Sequence, residues 1–164
     1  MEKYILEKKI WTEEDFDKMG WHDNRIHAMH FLSDEKAWKN QIIFDIDYIL
    51  AWVKVPKDNI YYSFWISPST LIFDDAFDLK MDINQNTNRM EPLEIIQVQM
   101  QKKYDEQKCK WIYEWQIELQ EGLISFTSGG FKQYIRQTPI YSKSQYFDLE
   151  ERNGINLNPI TFNE

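Results

Sequence analysis

The most regular feature of the chain is an alternation of apolar and polar residues with a period of two. Trp111, Tyr113, Trp115, Ile117 and Leu119 alternate with Ile112, Glu114, Gln116, Glu118 and Gln120. Four of those five intervening residues are polar, which is the pattern of a half-buried antiparallel strand. Phe77, Leu79, Met81 and Ile83 alternate in the same way with Asp78, Lys80 and Asp82. Gln120-Glu121-Gly122 reads as a tight turn into a further strand at 123–127, and Ser128-Gly129-Gly130 ends it.

Other strands are expected at 25–31, 41–53, 61–67, 70–73 and 132–140. The segment 93–104 fits two periods. Leu93, Ile96, Met100 and Tyr104 would line a helix, whereas Ile96, Val98 and Met100 alternate with glutamines, and a strand is preferred. Near the start, Thr12 faces Asp15 three places on, with carboxylates in the first turn, and Gly20 supplies a stop. These signals predict a short helix near 13–19, preceded by an edge strand within 3–11. Asp148 to Arg152, followed by Asn153-Gly154, reads as a helical turn and its end.

About eight strands at hairpin spacing predict a mainly β fold, an antiparallel sandwich or a curled half-barrel. A single globular domain is expected over 1–164, with the β region at 24–140 and a short turn and tail at 141–164. The length of 164 residues and 43% hydrophobic content support a core without covalent staples.

Composition narrows the function. Cys109 is the one cysteine, so an internal disulfide is excluded. No apolar stretch near the N-terminus suits a signal peptide and none elsewhere can span a bilayer, so a cytoplasmic protein is expected. The net charge of −8 disfavours nucleic acid and anionic membranes and suits a basic protein partner. Phosphate-loop, dinucleotide and nucleophile-elbow motifs are missing, and no cofactor is expected.

Candidate chemistry centres on the chain's three histidines, His22, His27 and His30. In a regular strand, His27 would share a face with Arg25 and Met29, and His30 would face the other way with Ile26 and Ala28. The spacings of five and three residues fit neither common zinc template, so no metal site is expected. His22, Asp23 and His27 are the candidates for proton transfer. Asp45 and Asp47 share one strand face about 7 Å apart, a separation used in glycoside hydrolysis. A solvent-facing position is the preferred reading. If Asp47 is buried, Arg25 or a histidine of the neighbouring strand is its expected partner. Tyr61-Tyr62-Ser63-Phe64-Trp65 places aromatic rings on both strand faces, which makes Tyr61 and Trp65, with Arg25, candidate binding residues.

The arrangement Trp21-His22-Asp23-x-x-Ile26-His27 precedes a strand Ile43-Phe44-Asp45-Ile46-Asp47-Tyr48-Ile49. With Ser63 to Phe73 and Trp115 to Gly122, it resembles a group of uncharacterised bacterial proteins of this length. The likeness spans residues 11 to 140 and implies no activity. The His-Asp opening followed by antiparallel strands is also similar to small immunity proteins of bacterial toxin systems. A non-enzymatic binding or regulatory protein is the favoured expectation. The alternative is a small metal-dependent or acid/base enzyme built on His22, Asp23, His27 and His30.

Overall fold

Alternation of this kind folds as a sheet with one wet and one dry face, and the computed structural model of the chain does so. It describes residues 4–55, 61–86 and 88–163. Ten strands form: β1 (Ile10–Thr12), β2 (Arg25–Asp34), β3 (Lys39–Lys54), β4 (Tyr62–Asp74), β5 (Phe77–Ile83), β6 (Leu93–Asp105), β7 (Lys110–Leu119), β8 (Gly122–Ser128), β9 (Gly130–Ile135) and β10 (Ile140–Ser142). All pairings are antiparallel, in the order β1-β9-β4-β3-β2-β6-β7-β8-β5, with β10 also on β4. The segment 93–104 is a strand.

The sheet curls so that its two halves face each other across one core. At one side the halves meet through a short β2–β6 seam, Arg25 opposite Glu94 and Ile26 opposite Leu93. At the other side β4 runs into β5 and β8 into β9, and the two pairs turn the corner together. Asp74 is paired with Gly130 before the corner and Phe77 with Thr127 after it. Phe73 of β4 meets Trp115 of β7 at 4.9 Å and Phe126 of β8 at 4.6 Å between ring centres. Phe44, Leu71, Phe131, Ile117 and Ile124 fill the same core.

Several elements differ from the sequence pattern. The helix expected near 13–19 is a 3-10 piece, Glu13–Lys18. Six residues are too few for a stable α-helix on their own, and packing fixes them instead. Phe16 lies against Trp21 and Trp115 and packs the piece on the core. Of the segment 3–11, Lys3 lies outside the described residues, and regular pairing is confined to β1. The strands expected at 61–67 and 70–73 are one, because Pro68 sits inside β4 and its carbonyl accepts the Arg136 N–H at 3.0 Å. The strand expected at 132–140 splits into β9 and β10. Ten strands form among the described residues, where about eight were expected. No helix is long and apolar enough to cross a membrane among the described residues.

Candidate functional site

The outer face of β3, turned away from the core, carries Ile43, Asp45, Asp47 and Ile49, while Ile42, Phe44, Ile46 and Tyr48 point inward. Both aspartates are fully buried, which corrects the expectation of a solvent-facing pair. The C-terminal segment lies over them. Arg152 donates through both terminal nitrogens to Asp45, at 2.6 and 2.8 Å, and through Nε to Asp47 at 3.1 Å. Arg136 donates to Asp45 at 2.5 Å. The backbone N–H groups of Asn156 and Phe147 donate to Asp45 and Asp47 respectively, each at 2.8 Å. His27 Nε2 lies 2.8 Å from Asp47. Beside this cluster Phe147 packs on Ile49, Phe64 and Ile66 as a second small core.

Burial works against ionisation of Asp47, yet the His27 hydrogen bond, the Arg152 charge and the Phe147 N–H outweigh it and hold the carboxyl below its ordinary value. Burial likewise opposes the charge on Arg152, but its bonds to Asp45 and the charge of Asp47 raise it. For Arg136 burial wins over Asp45 and the value falls. The cluster is thus an internal ion network whose acceptors are engaged by the strap that covers them.

Two β-bulges set which side chains share this face. In β2, Ile26 is opposite Ile46 and Ala28 is already opposite Asp45, so His27 is the extra residue. The slip turns His27 and His30 to the outer face and Met29 to the core, overturning the separation expected of a regular strand. In β3, Leu50 is the extra residue, and Trp52 is turned outward opposite Phe64. Asn24, fully buried, accepts the Ile49 N–H at 3.1 Å next to this bulge.

The loop before β2 is stitched in place by backbone bonds. Asp23 N–H donates to the Ile95 carbonyl at 2.8 Å, and Ile95 N–H donates to Asn24 at 3.0 Å. Trp21 enters the core and donates its indole N–H to Gln133 at 2.8 Å. Asp23, at a φ of 61°, accepts from Gln145 at 2.7 Å. His22 remains exposed, with Nδ1 2.9 Å from the Ile96 carbonyl and Nε2 3.3 Å from Asp23. His22 and Asp23 therefore meet, but His27 is committed to Asp47 and, among the described residues, shares no partner with them. Among the described residues no group of three His, Cys, Asp or Glu side chains is placed to hold a metal.

His22 stacks on Trp52, whose ring meets Tyr62 at 5.6 Å. Trp52 (41% exposed), Tyr62 (45%) and Tyr61 (66%) lie open to solvent at this end of β3 and β4. Asp23 contacts His22, and Glu94 lies close enough to Asp23 and Glu121 to feel their charges. Burial first, then the charges of Asp23 and Glu121, raise Glu94 above its ordinary value. The other binding candidates are engaged internally. Trp65 lies between Tyr4 and Tyr141 at 5.5 and 5.4 Å, and the Arg25 guanidinium sits 3.2 Å over the Tyr146 ring rather than on Asp47.

Sequence reasoning missed Arg136, Arg152, Asn24 and Trp52. One signal was present: the chain has only four arginines, Arg25, Arg89, Arg136 and Arg152. Arginine is the usual partner of a buried carboxylate, so an acidic pair in an apolar strand limits the choice to few residues. Comparison with protein-family models, curated proteins and solved structures returns no match.

Proposed function

We propose that this is a non-enzymatic binding protein that docks a basic partner protein on the face formed by His22, Trp52 and Tyr62 with Asp23, Glu94 and Glu121, beside the exposed Tyr61. The observation that carries this reading is the solvent-open aromatic row continuous with a carboxylate group. Trp52 stacks on His22, His22 contacts Asp23, and Asp23 repels Glu94. Exposed Trp and Tyr are typical interface anchors, and neighbouring carboxylates attract lysine and arginine, which also settle on aromatic faces. The net charge of −8 steers such a partner inward over a longer range. A cytoplasmic, toxin-neutralising or regulatory role fits this chemistry and the resemblance to immunity proteins. The acid/base alternative has less support, since His27, Asp45 and Asp47 are all held by partners within the fold.

The test is capture from the native host with the wild-type chain and with a Trp52→Ala/Tyr62→Ala variant. A stoichiometric basic protein is expected with the wild type, released as salt rises and lost with the variant. Failure to capture one, or equal capture by both chains, overturns the proposal.

A further inference from the structure

The strap covers only part of the outer face, and what it leaves open follows from strand register. Two rows of outward residues run across β2, β3, β4 and β9. One is Ala28–Asp45–Thr70–Tyr134, and the next is His30–Ile43–Ile72–Lys132. The strap crosses the first row, where the Thr70 hydroxyl donates to the Asn158 carbonyl at 2.9 Å and Asn156 N–H binds Asp45. The second row therefore forms the floor of a groove with Leu157 and Pro159 as its wall and a volume of about 560 Å³, within the range of small-molecule sites.

Its chemistry is asymmetric for so acidic a chain. The floor is the apolar pair Ile43 and Ile72. His30 and Lys132 stand at opposite ends of the row, about 14 Å apart over three strand spacings, and Lys39 lines the same groove. Some lysines elsewhere are paired with acids, Lys18 with Glu7, Lys103 with Glu114 and Lys110 with Asp75. Among the described residues, none of His30, Lys39 and Lys132 has an acidic partner within 4.0 Å. The Asp74 carboxylate on the lining accepts from Gln41 at 2.6 Å. Tyr134 lines the groove on the side of Lys132.

We infer that the groove between the strap and the His30–Ile43–Ile72–Lys132 row binds a small anion with an apolar body. The body lies on the two isoleucines, and its carboxylate or phosphate is held by Lys132 or Lys39. Ile43 and Ile72 are themselves buried, so the apolar part of the affinity comes from covering the half-exposed Leu32 and Leu157 and the exposed Pro159 on the groove lining, and a lysine provides a point charge to a phosphate or carboxylate. The site is separate from the aromatic face proposed for the partner protein and does not depend on it.

Two-dimensional NMR titration of the whole chain tests this, with 2-naphthoate and 2-naphthyl phosphate as anionic probes and 2-naphthalenemethanol as the neutral control. Saturable one-to-one binding of at least one anion is expected, with shifts at His30, Ile43, Ile72 and Lys132. Affinity should fall at least ten-fold for the alcohol and for a Lys39→Gln/Lys132→Gln variant, and should be unchanged by Trp52→Ala. The relative affinity of the two anions separates a carboxylate from a phosphate site. Both lysines are at the surface, so the variant keeps its fold, checked by an unchanged spectrum away from the groove. No saturable binding of either anion, equal binding of the alcohol, or binding insensitive to the lysine variant would overturn the inference.

Discussion

Replacing Arg152 by methionine tests whether the C-terminal strap is part of the folded core. The guanidinium is fully buried and makes three bonds to two carboxylates at 2.6, 2.8 and 3.1 Å, with a fourth to the Gly154 carbonyl at 3.2 Å. Methionine fills most of the volume, so the loss is chiefly electrostatic. It leaves Asp45 and Asp47 buried with Arg136, His27 and two backbone N–H groups, an arrangement short of one positive charge. Breaking one side of a buried ion pair costs about 3–5 kcal/mol, a large share of a total stability of about 5–15 kcal/mol. At about 2–4 °C per kcal/mol for a chain of this size, the melting temperature should drop by about 6–20 °C. Urea unfolding followed by tryptophan fluorescence measures the loss, and limited proteolysis reports whether residues 143–163 become accessible. A double-mutant cycle adds the specific control. In an Asp45→Asn/Asp47→Asn background the same substitution should cost at least about 1 kcal/mol less, because the unpaired charges are gone. A loss below about 1 kcal/mol for Arg152→Met alone, or full additivity in the cycle, would refute the view that these carboxylates depend on the strap.

Three other outcomes follow from particular contacts. Asp47 is held below its ordinary value of about 3.9, so its share of stability is present above that value and is lost as pH falls through the lower folded value. Stability measured in urea from pH 5 to pH 2 should therefore decline, and the decline should be shallower in Asp47→Asn; an identical slope would contradict the assignment. Gly122 adopts a φ of 151°, and a Cβ there would stand 1.9 Å from the Asp82 carbonyl oxygen. Gly122→Ala should destabilise by at least about 1–3 kcal/mol from backbone strain alone, with faster amide exchange across β5 and β8; unchanged exchange would count against the β5–β8 register. Trp115 donates its buried indole N–H to Ser128 at 2.8 Å, so Ser128→Ala should cost about 1–3 kcal/mol by stranding that donor, and equal urea midpoints for variant and wild type would show that another acceptor replaces the hydroxyl.

The fold class follows from the order of residues alone. Alternation in β5 and β7, the Gly122 turn and the apolar runs of β3 and β4 require strands whose inner positions exclude water, because a period of two has no other way to bury one side. The same order also put Asp45 and Asp47 on one face. Tertiary structure decided what that face became. Arg152 reaches Asp45 from 107 positions away, a pairing without local periodicity. Single-residue bulges at His27 and Leu50 reversed the facing of every later outward residue in their strands, bringing His30 to the groove and Trp52 to solvent. A one-residue slip leaves composition and hydrophobic pattern almost unchanged but exchanges the two faces of a strand. Hence the sheet was legible from the residues, whereas the strap, the groove and the aromatic face arise only when distant segments meet.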